Sequence, residues 1–368
     1  MIPVVIAAGG TGGHFFPAEA LAHALAGRGY RPVLMTDGRS AGRGSEAFAD
    51  GDRHVLPGAG IAGRGLVKGI QATVALAAGT IAAARLLRSL QPGAIVGFGG
   101  YPCVPPIAAA RLSGMKMPVI LHEQNAVLGR ANRSLAKRVT VLALSAAGTT
   151  RVPAGIRTVV TGNPVRPAIA GLADAPYEAP TPDGPINLLV TGGSLGARVL
   201  SDIVPQALIA LPAEFRTRLR VVQQARQEDG ARVRAAYQAA GIAAEVAPFF
   251  ADMAQRLATA HLVIARAGAS TTAELAVTGR PALLVPLPSA IDDHQSANAA
   301  ILEQAGAAWV LPQPLFTVDA VTAQLAALFA DPAVLTAASL AARRIARADA
   351  VALLADLVEQ SMVRETQS

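Results

Sequence analysis

One local order occurs twice in the sequence: a short apolar run, then a glycine pair, then a helical pattern. The first copy is the run at residues 3–8 leading into Gly9-Gly10-Thr11-Gly12-Gly13-His14. The second is the run at 187–191 leading into Gly192-Gly193-Ser194-Leu195-Gly196-Ala197-Arg198. A strand passing through a glycine turn directly into a helix is the usual opening of a parallel α/β domain. Two openings, one at the start and one near the middle of 368 residues, predict two such domains.

Further apolar runs of strand length lie at 32–36, 53–56, 94–97, 119–121 and 139–142, and again at 219–223, 245–247, 262–265, 282–285 and 308–310. Helical patterns separate most of them, including 17–28, which Pro17 would help to start, and a long one within 67–90. The expected fold class is α/β, two Rossmann-like doubly wound domains facing a deep cleft. The expected domains are 1–162 and 163–345, with a helical tail at 346–368 packing back on the first. The Pro-rich stretch 162–185 between them reads as a hinge or linker.

Composition narrows the function classes. Hydrophobic residues make up 52% and charged residues 15%, enough apolar matter for two cores. No uninterrupted apolar run reaches the roughly 18 residues of a membrane span, and the nearest, 72–84, stops at Arg85. The opening residues have neither a basic segment nor a cleavage site, so a signal peptide is not expected. The single cysteine, Cys103, permits no internal disulfide and suits a reducing, cytoplasmic setting. A net charge of +7 favours an anionic partner: acidic lipid or a phosphorylated substrate. Nucleic acid is disfavoured, because aromatic residues are only 4% and do not interleave with basic ones.

Both glycine turns suit phosphate. Glycines let the backbone approach a ligand, and a helix N-terminus offers unpaired N–H groups. The bland alternative is a tight turn that happens to be glycine-rich. The Gly-x-Gly-x-x-Gly spacing of dinucleotide sites is absent from the first turn, which argues against a nucleotide-dependent oxidoreductase. Ser194 could cap its helix, bind a phosphate oxygen, or do both. A third turn, Arg266-Ala267-Gly268-Ala269-Ser270-Thr271-Thr272-Ala273-Glu274, adds a carboxylate able to accept from both ribose hydroxyls, or merely to favour a helix N-terminus. Downstream, Asp292-Asp293-His294-Gln295-Ser296-Ala297-Asn298 puts Gln295 and Asn298 on one helical face, suited to sugar hydroxyls.

Together with Gly97-Phe98-Gly99-Gly100-Tyr101, His122-Glu123-Gln124-Asn125 and Gly162-Asn163-Pro164-Val165-Arg166, these segments resemble the MurG family. Its members are the lipid II-forming N-acetylglucosaminyltransferases of peptidoglycan synthesis, with the GT-B fold. The resemblance runs in order over nearly the whole chain. It implies that Ser194 and Arg166 contact the donor phosphates and Phe250 the uracil. Ala269, Ser270, Thr271, Thr272, Ala273 and Glu274 would hold the diphosphate and ribose. Gln295 and Asn125 would hold the N-acetylglucosamine, with Thr11, Gly12 and Gly13 closing over it. The acceptor, undecaprenyl-pyrophosphoryl-N-acetylmuramyl-pentapeptide (lipid I), would meet Gly10, Thr11, His14, Gly99, Gly100, Tyr101 and Asn298. The chain departs from the family where Pro102-Cys103-Val104-Pro105 replaces x-Ser-Gly-Pro, where Phe250 replaces an aliphatic residue, and where Leu195 replaces Gln.

The implied chemistry is an inverting displacement in which the acceptor 4-hydroxyl attacks the anomeric carbon of UDP-N-acetylglucosamine. A base is useful there. His14 has the side chain for it, or else bonds its own turn, and Glu123 is the rival, with a structural role equally open to it. No metal or other cofactor is expected. Asp50-Gly51-Asp52 has an Asp-x-Asp form but reads as a solvated loop. In 60–88, Leu66, Val67, Ile70, Val74, Leu76 and Ile81 stand among Arg64, Lys68, Arg85 and Arg88. Such a face could lie on an anionic bilayer or pack on its own sheet. The expected location is the cytoplasmic face of the bacterial inner membrane, peripherally bound. A GT-B transferase acting on another lipid such as diacylglycerol, or a non-catalytic subunit of a split transferase, are the other readings.

Overall fold

The computed structural model describes residues 1–10, 12–40, 45, 47–49, 51–58, 66–112, 114–193 and 196–366, with the backbone alone at 66–70, 365 and 366. The chain forms two compact units, Met1–Arg166 with Asp349–Ser368, and Pro167–Ala348.

The first unit is built on seven strands: β1 (Pro3–Ala7), β2 (Arg31–Thr36), β3 (Arg53–Val55), β4 (Ala94–Gly97), β5 (Val119–Glu123), β6 (Val141–Leu144) and β7 (Thr158–Val160). Their order is β3-β2-β1-β4-β5-β6-β7, and every neighbouring pair is parallel. Winding reverses between β1 and β4. In open α/β sheets such a switch point leaves a crevice beyond the carboxyl ends of the strands.

Apolar residues run unbroken along β1 because helices cover both faces of the sheet. Val4 and Ile6 pack with Leu21, Leu25, Leu354 and Val358 on one side. Val5 and Ala7 pack with Ala83, Leu87 and Ile107 on the other. The helix Ala350–Thr366 thus completes the core of the first unit, and Arg28 adds ion pairs to Asp356 at 2.6 Å and Glu359 at 2.7 Å. These pairs are part-exposed and contribute little beside the apolar contact.

The first helix differs from expectation. It runs Gly12–Gly27, so Pro17 lies inside it rather than near its start. Proline has no N–H, and the carbonyl left without its helical donor is that of Gly13, within the first turn, where the interruption is least costly.

The second unit repeats the plan with β8 (Ile186–Thr191), β9 (Leu219–Gln224), β10 (Ala243–Ala247), β11 (Leu262–Ala265), β12 (Ala282–Leu284) and β13 (Ala308–Val310). The order is β10-β9-β8-β11-β12-β13, all parallel, with the switch point between β8 and β11. Ile186, Leu188 and Val190 bury against Leu200, Val204 and Leu208. Much of the stretch read as a linker is fastened to this unit. Arg343 donates to the carbonyls of Ala173 and Ala175, and the Tyr177 hydroxyl donates to His261 O at 2.9 Å.

Candidate active site

At the switch point of the first unit the chain leaves β1 through Gly9, where a Cβ would stand 2.8 Å from Asp37 Oδ1 and 2.9 Å from Thr36 Oγ1. A larger residue there would displace those two side chains. Gly10 takes φ 83°, and its N–H donates to Ser40 Oγ at 2.8 Å. That donor, expected to face an anion, is therefore engaged within the protein. Thr11 lies outside the described residues. Gly12 and Gly13 open the helix, and the missing side chain at Gly12 makes room for the Phe16 ring.

His14, in the first helical turn and partly exposed, points its Nδ1 at Gln124 Oε1, 2.8 Å away. Gln124 Nε2 lies 3.0 Å from His122 Nδ1 and 3.1 Å from His122 O. His122 Nε2 in turn lies 2.9 Å from the carbonyl of Gly162. Both His122 and Gln124 are buried. Burial pushes the His122 imidazole down to about 4, only partly offset by the hydrogen bond to Gly162 and the nearby Glu123. Gly99 and Gly100, with φ 85° and 70°, pass along the edge of the His14 ring. A Cβ at Gly100 would stand 3.6 Å from His14 Nε2, so glycine there leaves that nitrogen approachable.

Glu123, at the end of β5, is buried and fully engaged. Its Oε1 accepts from Asn125 N and Asn125 Nδ2, both at 3.0 Å. Its Oε2 accepts from Gly129 N and Asn132 Nδ2, both at 2.9 Å. Four donors use the whole accepting capacity of a carboxylate. The arrangement makes Glu123 the organiser of the turn after β5, with Asn125 held against it.

Tyr101 donates its hydroxyl to Asp37 Oδ2, and Arg39 reaches both, at 3.0 Å from each oxygen. Burial alone would raise Asp37. The hydrogen bonds from Tyr101, Arg39 and Ser40 outweigh it and hold the carboxyl below its usual range. Cys103, where the sequence resemblance leads one to expect serine, directs its thiol at Ala7 O and Gly99 O, and so ties β1 to the glycine run. Asp50 lies outside the described residues. Asp52 is buried rather than solvated, with Arg31 Nη2 at 2.5 Å and Nε at 2.9 Å.

In the second unit a Cβ at Gly192 would stand 2.3 Å from Ala197 N, so only glycine closes that turn. Gln224, at the end of β9, secures it: Oε1 accepts from Thr191 Oγ1 at 2.9 Å and Gly192 N at 3.1 Å, while Nε2 donates to Gly193 O at 3.0 Å. Ser194 and Leu195 lie outside the described residues.

Beyond β11 the helix Ala269–Thr278 begins after Gly268 with no side-chain cap. Thr272 N and its hydroxyl both turn back to Gly268 O. The first-turn amides of Ser270 and Thr271 therefore form the end that an anion can meet. Ala273 and Glu274 follow in the same helix.

Arg266, which opens this motif, is turned inward, with Nη1 on Val285 O at 3.0 Å and Pro286 O at 3.1 Å and Nη2 on Gln313 Oε1 at 2.6 Å. Gln295 and Asn298 share the helix His294–Gln304. Gln295 Oε1 accepts from Leu287 N at 3.0 Å, and Asn298 Nδ2 donates to Ala267 O at 3.1 Å. Phe250 is buried with the Arg256 guanidinium 4.1 Å from its ring centre, so one ring face is covered; its neighbour Phe249 is 70% exposed. Arg166 belongs to the first unit, where its guanidinium lies 5.1 Å from the centre of the Phe16 ring.

Gln124, His122, Asn132 and Gln224 were not singled out by sequence reasoning as functional residues. Gln124 and His122 stood inside a recognised motif, but only Glu123 and Asn125 of that motif drew attention.

Comparison with known proteins follows the same two-part plan. The glycosyltransferase family 28 N-terminal domain matches residues 4–144, and the glycosyltransferase family 28 C-terminal domain matches 187–354. The UDP-N-acetylglucosamine–N-acetylmuramyl-(pentapeptide) pyrophosphoryl-undecaprenol N-acetylglucosamine transferase of Granulibacter bethesdensis is 62% identical over 360 residues, covering 98% of this chain and 94% of that protein. The protein of the same description from Methylobacterium sp. is 53% identical over 363 residues, covering 98% and 97%. Among solved structures, Acinetobacter baumannii MurG superposes with a TM-score of 0.77 at 32% identity, covering 98% of this chain and all of that one.

Proposed function

The chain belongs to glycosyltransferase family 28, in the MurG family, and on that premise we infer that it moves N-acetylglucosamine from UDP-N-acetylglucosamine to lipid I. The acceptor atom is the 4-hydroxyl of the N-acetylmuramyl unit of undecaprenyl-pyrophosphoryl-N-acetylmuramyl-pentapeptide, and the product is lipid II for peptidoglycan. The observation that carries this reading is likeness to the Granulibacter bethesdensis transferase at 62% identity over almost the full length of both proteins.

The second unit supplies the donor site. The first-turn amides of Ser270 and Thr271 meet the diphosphate and stabilise charge as UDP leaves, with Ala269 assigned to the same turn, and Glu274 accepts from the ribose. Ser194 and Arg166 remain assigned to donor phosphates, and Gln295 and Asn125 to the sugar. The first unit supplies the base and the acceptor contacts, Gly99, Gly100 and Tyr101 among them. Of the two candidate bases, His14 fits the role, because it is partly exposed beside two glycines while the Glu123 oxygens are occupied by four donors. The acceptor hydroxyl gives its proton to His14 as its oxygen bonds to the anomeric carbon and the bond to UDP breaks on the opposite face.

The protein binds peripherally to the anionic cytoplasmic face of the inner membrane through the helix Leu66–Leu90. Its segment Gln71–Leu90 is long and apolar enough to cross a membrane by length and composition. However, Ala72, Ala83 and Leu87 are buried on the domain, while Val74, Ile81, Arg85 and Arg88 form the outward stripe. An apolar stretch ending in arginines suits a charged interface better than a bilayer core.

The test is transfer of radiolabelled N-acetylglucosamine from its UDP form to a short-chain lipid I analogue, with EDTA present. Labelled disaccharide lipid is the expected product. Binding of UDP-N-acetylglucosamine without transfer would redirect the acceptor assignment to another lipid such as diacylglycerol.

A further inference from the structure

Four polar groups of the first unit form a chain whose hydrogens can be placed in only one way while His122 is neutral. The carbonyl of Gly162 can only accept, so the single hydrogen of a neutral His122 lies on Nε2, 2.9 Å from it, and Nδ1 is bare. Gln124 Nε2 faces that bare nitrogen at 3.0 Å and the carbonyl of His122 at 3.1 Å, so its two hydrogens are both assigned. The amide oxygen must then face outward. It lies 2.8 Å from His14 Nδ1, and an amide oxygen can only accept. His14 Nδ1 therefore carries its ring hydrogen. Asn132 Nδ2 also donates to the His122 carbonyl at 3.2 Å, which keeps that end in place. The low value of His122, about 4, keeps the chain in this state at neutral pH.

We propose that Gln124 and His122 are positioning residues that lock His14 as the Nδ1–H tautomer, so that Nε2, on the Gly100 side, is the nitrogen that takes the acceptor proton. The inference rests on the reading of His14 as base. Both positioning residues are buried behind His14. Each acts by denying His14 the other tautomer, whose Nδ1 lone pair would oppose the Gln124 oxygen.

The test uses full-length protein labelled with 15N-histidine, in which the His14 nitrogens are assigned by their loss in His14→Gln. Gln124→Met removes the acceptor at similar volume. Its His14 signals are expected to shift from Nδ1–H towards a mixture with Nε2–H, and kcat is expected to fall about 2- to 10-fold, by the fraction moved to the unreactive tautomer, with the KM for UDP-N-acetylglucosamine little changed. Gln124→Glu, which keeps an acceptor towards His14 but loses the donor towards His122, is the second variant. It should retain the Nδ1–H signature and show the acid limb of its kcat profile at higher pH, because a carboxylate beside the ring favours the protonated base. An unaltered tautomer in Gln124→Met overturns the lock. An altered tautomer with unaltered kcat leaves the hydrogen-bond chain standing and overturns the proposal through its premise, the base assignment.

Discussion

The imidazole Nε2 of His122 donates to the carbonyl oxygen of Gly162 across 2.9 Å, joining β5 to the segment that follows β7. Burial holds this ring at about 4, against about 6.5 in an unfolded chain. The folded value is the lower one, so the unfolded state binds the proton first as pH falls. Stability is whole above about 6.5 and is lost as pH falls towards about 4, by roughly 3 kcal/mol in all. His122→Gln removes the titrating group, so its stability should vary less over that range, whatever its value at pH 7. Urea unfolding of both proteins at several pH values between these limits measures the difference. Parallel curves would mean that the ring is solvated in the folded state.

His14→Gln should fold normally, since the side chain is only partly buried, and should lose turnover. General base catalysis contributes about 10²- to 10⁴-fold, and that is the loss expected in kcat. Binding of UDP-N-acetylglucosamine should hold within about twofold, because the first-turn amides of the helix Ala269–Thr278 belong to the other unit. Steady-state rates together with donor titration separate the two effects. Full turnover in His14→Gln would return Glu123 to consideration.

Gly268 offers a test in which stability and binding part company. It precedes the helix Ala269–Thr278 with φ −68° and ψ 148°, a conformation open to any residue, and a Cβ there meets only Thr271 Oγ1 at 3.9 Å. Gly268→Asp would supply the missing cap and gain a few tenths of a kcal/mol in stability. The same carboxylate would occupy the first-turn amides and repel a diphosphate. The Kd for UDP should rise at least about tenfold while the Tm holds or climbs. Calorimetric titration with UDP decides it, and unchanged affinity would remove the diphosphate from this helix end.

The sheet was legible because parallel strands covered on both faces read as continuous apolar runs, and glycine pairs mark where two of them turn into helices. β7 was not, because its three residues lie at the sheet edge, two of them exposed, and carry no buried pattern. The start of the first helix was misplaced because Pro17 is a strong local signal, whereas Gly12 and Gly13 enter the helix only because the turn at Gly9 and Gly10 aims them there. Charged residues inside motifs drew attention that their neighbours merited more. Arg266 and Glu123 satisfy backbone and turn, whereas Gln124 meets His14 across 110 positions and Gln224 braces a turn more than 30 positions away. An uncharged amide has no periodicity, and its role emerges only when the strands set it beside its partner.

Tyr101 and Asp37 predict an acid-dependent effect of a different origin. Asp37 lies below the usual carboxylate range, so what its hydrogen bonds contribute is present above about pH 4 and is lost as pH falls through the lower folded value. Tyr101→Phe removes one charge-assisted donor from a buried carboxylate, at a cost of about 1.5 to 3 kcal/mol at pH 7. The cost should shrink as the solution is acidified and Asp37 is neutralised in both proteins. Denaturant midpoints at pH 7 and in the acid range measure this. A cost that does not depend on pH would assign Tyr101 to packing alone.

The outward stripe of the helix Leu66–Leu90 carries the last prediction. Val74 is 63% exposed and Ile81 55%, one above the other at two-turn spacing, with Arg85 and Arg88 continuing the line. Neither apolar side chain supports the core, so Val74→Glu with Ile81→Glu should change stability by no more than about 0.5 kcal/mol. If the stripe lies in the bilayer interface, each side chain gives up roughly 1 to 2 kcal/mol of apolar burial, and the new carboxylates oppose an anionic surface. Partitioning onto vesicles containing phosphatidylglycerol should fall by more than tenfold in the double variant. Arg85→Gln with Arg88→Gln should weaken binding in proportion to the anionic lipid fraction and scarcely affect neutral vesicles. Equal vesicle binding by all three proteins would move the membrane contact off this helix and leave its apolar stripe as ordinary exposed surface.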